Sequence, residues 1–347
     1  VYKRQNENLE AIEFLKHLNS IFKKEFPDAL LIAEESTAWP KVTGELDDEG
    51  LGFDYKWNMG WMNDFTEYMK NDPVYRGAHH DQLTFSMVYA YSEKFMLSLS
   101  HDEVVHLKGS MYTKMPGTPE QKMANLRLAY AYQMVHPGKK LLFMGQEFAQ
   151  KKEWNYETQL DWELLEQPAH KQMEQFSQDL NKFYLDNAAL WQDDDSWQGF
   201  SWISHDDYQQ SVIAFRRIDD DGNEIIAICN FCPVQRNDYK IGVPKEGRYQ
   251  VVFNTDAAVY GGSGVTEKKF QTLPIAMHGF EQCISLTLAP LSVLYLKYSP
   301  VKKRAPRKSA AAKASPAKSA AVKPKKTTVK KTAGTARKRK AAPGSNR

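Results

Sequence analysis

The spacing of apolar residues changes character along the chain, at about residue 195. Before that point, apolar residues recur every three or four positions in three segments, which predicts amphipathic helices. Short continuous apolar runs alternate with these segments and are typical of strands buried on both faces of a parallel sheet. The predicted helices are 8–22, 119–136 and 168–187, and the predicted strands are 29–33, 95–100 and 140–144.

Polar residues follow directly after each of these predicted strands. Glu34 and Glu35 follow the first, His101 and Asp102 follow the second, and Gln146 follows close behind the third. Polar residues at the carboxyl ends of parallel strands are typical of a (β/α)8 barrel, whose active site is assembled on that face. A doubly wound sheet also binds its ligands at strand carboxyl ends, so the pattern alone leaves both folds open.

After residue 196 the apolar residues occur in short alternating runs separated by turn residues, as at 219–222 and 261–264. This spacing predicts an antiparallel β-sandwich of about 100 residues. The segment 301–347 is almost entirely Lys, Ala, Pro, Ser and Thr, so it has little to bury and is predicted to be disordered. The predicted fold class is α/β plus all-β, with domains at 1–195, 196–300 and 301–347.

Charge separates the last segment from the rest of the chain. Residues 301–347 hold 17 of the 46 Lys and Arg side chains and no Asp or Glu, which leaves 29 basic against 43 acidic side chains elsewhere. Such a basic segment fits an anionic partner such as nucleic acid, and it is equally compatible with a solvated appendage that has no partner. No apolar run is long enough for a membrane span and no secretory signal is present, so we expect a cytoplasmic protein with three reduced cysteines.

The residues most indicative of chemistry are Glu34 and Asp102. On a barrel, both carboxylates would lie on the same face of the sheet. Glycoside chemistry needs two carboxylates about a scissile bond, one as acid and one as nucleophile or charge stabiliser. Strand-end carboxylates also cap helices or pair with lysines, and position alone does not decide between the two roles.

Two segments resemble the third and fourth sequence signatures of the α-amylase superfamily in its branching-enzyme form. They are 32–37 (IAEEST) and 99–106 (LSHDEVVH), and further similarity runs through 52–60 (GFDYKWNMG), 138–148 (GKKLLFMGQEF) and 153–155 (EWN). The resemblance implies the C-terminal part of a (β/α)8 barrel followed by a β-sandwich. It implies a retaining transfer in which an α-1,4 bond of a glucan is cut and the segment is moved to a 6-hydroxyl to form an α-1,6 branch.

The resemblance also implies a role for individual residues. Glu34 matches the general acid/base, Asp102 the aspartate that stabilises the transition state, and His101 a substrate-binding histidine. The nucleophilic aspartate of the family lies on the preceding barrel strand, and no residue of this chain matches it. We therefore expect a C-terminal fragment that is inactive by itself, with an α-1,4-glucan as substrate and without a metal or organic cofactor.

Two aromatic residues, Tyr55 and Trp57, are candidates for stacking on glucose rings, although ordinary loop packing explains them equally well. Two other functions remain open at this stage. A hydrolase of the same superfamily would use Glu34 and Asp102 in the same way and release reducing ends instead of forming branches. A non-catalytic carbohydrate-binding or nucleic-acid-binding protein would fit the unmatched nucleophile and the basic segment.

Overall fold

A parallel sheet occupies the first half of the part of the chain, residues 7–300, that this computed structural model describes. Its four strands lie side by side in chain order, and every neighbouring pair is parallel. Three of them overlap the predicted strand segments, but Ile32 of the first is exposed and the last is half-buried throughout, so these two are not buried on both faces as predicted. The other strand, 55–57, was missed because it has three residues and a lysine at its centre. The strands are β1 (Ile32–Ala33), β2 (Tyr55–Trp57), β3 (Phe95–Leu99) and β4 (Lys139–Leu142).

Helices connect and cover these strands. The helix α5 (Pro119–Val135) begins as predicted, because the Thr118 hydroxyl accepts from the Gln121 amide while the Gln121 side chain accepts from the Thr118 amide. Unlike a one-faced amphipathic helix, α5 is buried on nearly every side from Met123 onward, since it lies between two sheets. The helices are α1 (Leu9–Glu25), α2 (Met59–Lys70), α3 (Asp81–Thr84), α4 (Met111–Lys114), α5 (Pro119–Val135) and α6 (Pro168–Leu185).

The second half of the described chain forms antiparallel strands, as predicted. One sheet has six strands in the order β10-β9-β12-β7-β6-β5, and β8 and β11 pair separately. The last two strands are separated by a turn at Leu291, whose φ is 47°. The strands are β5 (Phe200–Asp207), β6 (Val212–Ile218), β7 (Glu224–Asn230), β8 (Arg236–Val243), β9 (Arg248–Asn254), β10 (Lys269–Gln271), β11 (Gln282–Leu288) and β12 (Ser292–Ser299).

The central strands of the larger sheet are buried on both faces. On β7, Ile226 and Ile228 pack with residues of β8 and β11, whereas Ile225 and Ala227 point to the opposite face and belong to the core that contains α5. The Tyr295 hydroxyl donates to the carbonyl of Ala131 on α5. One face of the antiparallel sheet therefore completes the hydrophobic core of the α/β region.

Buried arginines connect the α/β region to the antiparallel strands through hydrogen bonds. Arg217 on β6 is fully buried, donates to the carbonyls of Gly199 and Val135, and pairs with Asp194 at 2.7 Å. Arg76 likewise donates to the Phe231 carbonyl at 2.9 Å. Residues 7–300 consequently belong to one compact unit, and the boundary at 195/196 remains a prediction.

The remaining expectations from the sequence concern helix α1, the cysteines, membrane spans and the segment 301–347. On α1, Phe14, Leu18 and Ile21 remain exposed, while Ile12 packs in a small core with Val42. The three cysteines are free thiols. None of the helices within 7–300 has the length and apolar character needed to cross a membrane. The segment 301–347, predicted to be disordered, lies outside the described residues.

Candidate active site

Glu34 and Asp102 each follow the carboxyl end of a parallel strand, but they lie at different positions along the strand direction. Strands β1 and β3 flank β2, so their backbones are roughly 10 Å apart at about 4.8 Å per strand step. The register aligns Ala33 with Lys56 and Lys56 with Phe95. Glu34 is therefore level with Met96, and Asp102 follows six residues later, beyond the end of β3.

A single 3₁₀ turn, 101–103, carries His101 and Asp102. The amide of Ser100 donates to the Glu103 carboxylate at 2.5 Å, which closes a capping box around the turn. Glu103 is buried, and burial together with the neighbouring Asp102 charge raises its pKa. Glu103 therefore fixes the backbone from which the two predicted site residues project.

His101 and Asp102 lie against each other. His101 Nε2 is 3.4 Å from Asp102 Oδ1, and His101 Nδ1 is 3.0 Å from the Ser100 hydroxyl. The side chains remain 42% and 43% exposed, respectively. Because an exposed pair is largely screened by water, this contact orients the two side chains and leaves both accessible to a ligand.

The adjacent glutamates Glu34 and Glu35 have different surroundings. Glu35 Oε2 is 2.7 Å from Lys56 Nζ, and Glu35 Oε1 accepts from the Thr37 amide at 2.7 Å. Partial burial acts to raise the pKa of Glu35, but the hydrogen bonds from Lys56 and Thr37 outweigh it and lower the pKa. Glu34 is exposed and makes no hydrogen bond or ion pair with any other residue in the described range. Of the two, Glu34 has the free carboxylate.

Tyr55 and Trp57 lie on strand β2 and not in a loop, and both are half-buried. Trp57 lines a cleft of about 470 Å³ together with Trp39 and Glu35. His101 lines a different cleft, so the structure does not place Trp57 and His101 in one cavity.

The cleft beside His101 is larger, about 790 Å³, and lies between the segments 101–107 and 150–163. Trp154 and Tyr156 line it, and sequence reasoning did not select either as a site residue. The signal that could have found them is the segment 153–155, which already carried part of the family resemblance. Its position relative to Asp102 depends on how the loop after β4 folds back, which the residue pattern does not encode.

His80, which lies outside this site, has a structural contact. His80 is buried, and its Nε2 lies 2.9 Å from the His205 carbonyl. Burial lowers the pKa of His80. Across the described residues, no group of three or more His, Cys, Asp or Glu side chains is arranged to hold a metal ion.

Comparison with known proteins gives the family. Residues 202–299 match the family described as the alpha amylase C-terminal all-beta domain. The 1,4-alpha-glucan branching enzyme GlgB of Aquifex aeolicus is 54% identical over 296 residues, which are 84% of this chain and 47% of the relative. The chain belongs to the 1,4-α-glucan branching-enzyme family. The GlgB protein of Methylococcus capsulatus is 51% identical over 84% of this chain and 39% of the relative. The GlgB protein of Halothermothrix orenii is 50% identical over 84% of this chain and 47% of the relative.

The chain spans about half the length, or less, of the branching enzymes it matches. Solved structures share its fold at low sequence identity. The α-amylase of H. orenii is 13% identical with a TM-score of 0.55, covering 84% of this chain and 57% of that one. A second solved structure, the protein Ttha1563 of Thermus thermophilus, is 16% identical with a TM-score of 0.56, covering 83% and 56%.

Proposed function

We propose that this chain supplies the acid/base part of a retaining 1,4-α-glucan branching site. The observation that carries the proposal is the contrast between the two glutamates after β1, because Glu34 is free while Glu35 is engaged by Lys56. The position of His101 and Asp102 after the carboxyl end of β3, as Glu34 follows β1, supports it. The identity of about 50% to branching enzymes supplies the reaction class.

We also propose that the four parallel strands are the C-terminal part of a (β/α)8 barrel. Parallel strands in chain order with intervening helices are what such a barrel requires. The shared fold with an α-amylase supports the same assignment. A β-sandwich at 196–300 would then pack on the outside of the barrel through α5.

The proposed chemistry divides between two steps. Glu34 protonates the glycosidic oxygen as the α-1,4 bond breaks, and it later takes the proton from the attacking 6-hydroxyl of the acceptor chain. Asp102 stabilises the positive charge that develops on the sugar ring, and His101 binds its hydroxyls. Tyr55 and Trp57 are proposed to contact the glucan through their half-buried rings. No residue of the sequence matches the nucleophile that would hold the cut segment.

The basic segment 301–347 has a separate proposed partner. Seventeen cationic side chains with no intervening carboxylate favour a polyanion such as nucleic acid, bound through counterion release. A cytoplasmic location likewise remains a prediction.

The test uses a hybrid enzyme in which residues 7–300 are joined to the part of the Aquifex aeolicus relative that they do not match. We expect the hybrid to form new α-1,6 linkages in amylose, measured by NMR and by debranching analysis. Accumulation of reducing ends without branch points would contradict the proposal and indicate a hydrolase. Binding of glucan with neither product would indicate a non-catalytic carbohydrate-binding protein.

A further inference from the structure

Lys56 is a buried lysine at the centre of strand β2. Its ammonium lies 2.7 Å from Glu35 Oε2 and donates to the Thr37 carbonyl at 2.8 Å. A lysine is rarely buried unless it is paired, and replacing a buried ion pair by apolar side chains is often neutral or stabilising. Stability is therefore a weak reason for a lysine at this position, and its two contacts indicate another role.

Both acceptors lie on the segment that follows strand β1. The strand ends at Ala33, which is aligned with Lys56 in the parallel ladder. Residues 34–39 belong to no helix or strand, so the ladder does not hold them. Glu34 is the first residue beyond the ladder, and the Lys56 side chain binds the chain again one and three residues later.

The segment beside the lysine is closed by its own hydrogen bonds. Glu35 Oε1 accepts from the Thr37 amide at 2.7 Å, and the Thr37 hydroxyl accepts from the Trp39 amide at 3.2 Å. Such bonds from side chain to backbone are typical of tight turns. One carboxylate oxygen of Glu35 thus closes the turn, and the other connects the turn to Lys56 and so to strand β2.

Glu34 has no side-chain contact that would orient it. Its side chain is exposed and makes no hydrogen bond or ion pair with another residue in the described range. Its direction therefore depends on its backbone, which is fixed by the ladder at Ala33 on one side and by the turn bound to Lys56 on the other. A general acid must come within about 2.6–3.2 Å of the atom that takes its proton, so a small shift of this backbone matters.

We propose that Lys56 is a positioning residue for Glu34. It holds the turn at 35–37 against strand β2 and thereby fixes the backbone from which the Glu34 carboxyl reaches the substrate. The Thr37 carbonyl accepts from Lys56 independently of Glu35, so one of the two contacts persists when Glu35 is replaced. The inference rests on the proposed function, because it needs Glu34 to be the acid/base.

The experiment measures branching kinetics in the hybrid enzyme described above. Lys56→Met removes both contacts and keeps an unbranched side chain. We expect kcat to fall about 10- to 100-fold, because a slightly misplaced reacting group loses this much, and KM to stay within about twofold, because ground-state binding is unchanged. Lys56→Arg should recover most of the loss, since its guanidinium has donors for both oxygens and the adjoining cleft of about 470 Å³ leaves it room.

Glu93→Gln is the matched control for a general loosening of the connection between β1 and β2. Glu93 is buried and accepts from the amides of Val42 and Thr43 at 2.9 Å and 2.8 Å. It therefore holds the same connection at a point farther along the chain from Glu34. We expect Glu93→Gln to lower the unfolding temperature, as Lys56→Met does, and to leave kcat within about twofold of the parent.

Amide hydrogen exchange, followed by mass spectrometry, gives a readout that does not need the reaction. It is measured in the full 347-residue chain and in the hybrid. Lys56→Met should speed exchange in the segment 34–39, whereas Glu93→Gln should speed it at 42–43. Unchanged exchange at 34–39 in Lys56→Met would overturn the inference.

The double variant of Glu34→Gln with Lys56→Met separates the inference from the proposed function. If Lys56 acts through Glu34, adding Lys56→Met to Glu34→Gln should lower branching by less than about twofold. Fully additive losses, an unchanged kcat in Lys56→Met, no recovery in Lys56→Arg or an equal loss in Glu93→Gln would each overturn the inference and leave the assignment of Glu34 intact. Normal branching by Glu34→Gln would instead overturn that assignment and the inference with it.

Discussion

Replacing each of the two neighbouring glutamates by glutamine separates catalysis from structure. Glu34→Gln keeps the size of the side chain and removes its transferable proton. General acid/base catalysis contributes about 10²–10⁴-fold, so branching by the hybrid enzyme should fall by at least about 100-fold. Because Glu34 has no hydrogen-bond partner within residues 7–300, its loss should change the free energy of unfolding by less than about 0.5 kcal/mol.

Glu35→Gln should instead destabilise the fold and leave branching activity nearly unchanged. It breaks the 2.7 Å pair with Lys56, whose side chain is only 6% exposed, and leaves that ammonium with the Thr37 carbonyl at 2.8 Å. Loss of one hydrogen bond to a charged group costs about 1–3 kcal/mol, and the partial exposure of Glu35 favours the lower end of that range. Branching activity at a temperature well below unfolding should remain within a few-fold of the parent.

The pH dependence of stability gives an independent check. The folded-state pKa of Glu35 lies below its ordinary value of 4.5, so the unfolded chain binds more protons at this site as the pH falls. Its contribution is present above about pH 4.5 and is lost as the pH falls through the folded-state pKa, and Glu35→Gln should remove this component. The measurements are initial branching rates and thermal unfolding from about pH 3.5 to about pH 7. If Glu35→Gln abolished branching and Glu34→Gln were mild, the assignment of the acid would be wrong.

Three further outcomes are expected. Arg217→Met should lower the free energy of unfolding by about 3 kcal/mol, because it removes one partner of a buried ion pair. Lys182→Ala breaks an exposed pair with Asp186 and should lower it by less than about 1 kcal/mol. Equal losses of the two variants in denaturant titrations would refute the role of burial. Deleting 301–347 should abolish DNA binding that weakens steeply with salt, and binding insensitive to ionic strength would exclude the polyanion proposal. The 347-residue polypeptide by itself should form no α-1,6 linkages. It should also sediment as aggregates, because apolar residues of α1 such as Phe14 are exposed. Robust branching by the soluble chain would contradict the mechanism.

The sequence was sufficient wherever the determining interactions are local. The start of α5 is an example, because Thr118, Pro119 and Gln121 form the cap with their own neighbours. The position of Glu34 after one strand and of Asp102 after another follows equally from short-range patterns. The resemblance to a family then named these two residues as the candidates.

Local patterns failed where burial on more than one side decided the structure. Strand β2 is too short and too polar to be recognised, and it forms because β1 and β3 provide hydrogen-bonding edges on both sides. The one-faced pattern read for α5 was incomplete, because the helix is covered by a second sheet that comes about 100 residues later. The strands beside β2 and the sheet that covers α5 are too far away in sequence to be included in a window of a dozen residues.

Tertiary structure alone distinguished the two glutamates by their contacts. Adjacent residues of the same type have the same intrinsic chemistry, and the sequence offers only their alternation along the chain. Lys56, which engages Glu35 and leaves Glu34 free, reaches the site from β2 across a parallel pairing of residues 23 positions apart. The cleft wall with Trp154 and Tyr156 likewise depends on the loop after β4 folding back over the turn at Asp102. Such long-range contacts set which side chains are paired, buried or free, because these properties depend on neighbours in space and not in sequence.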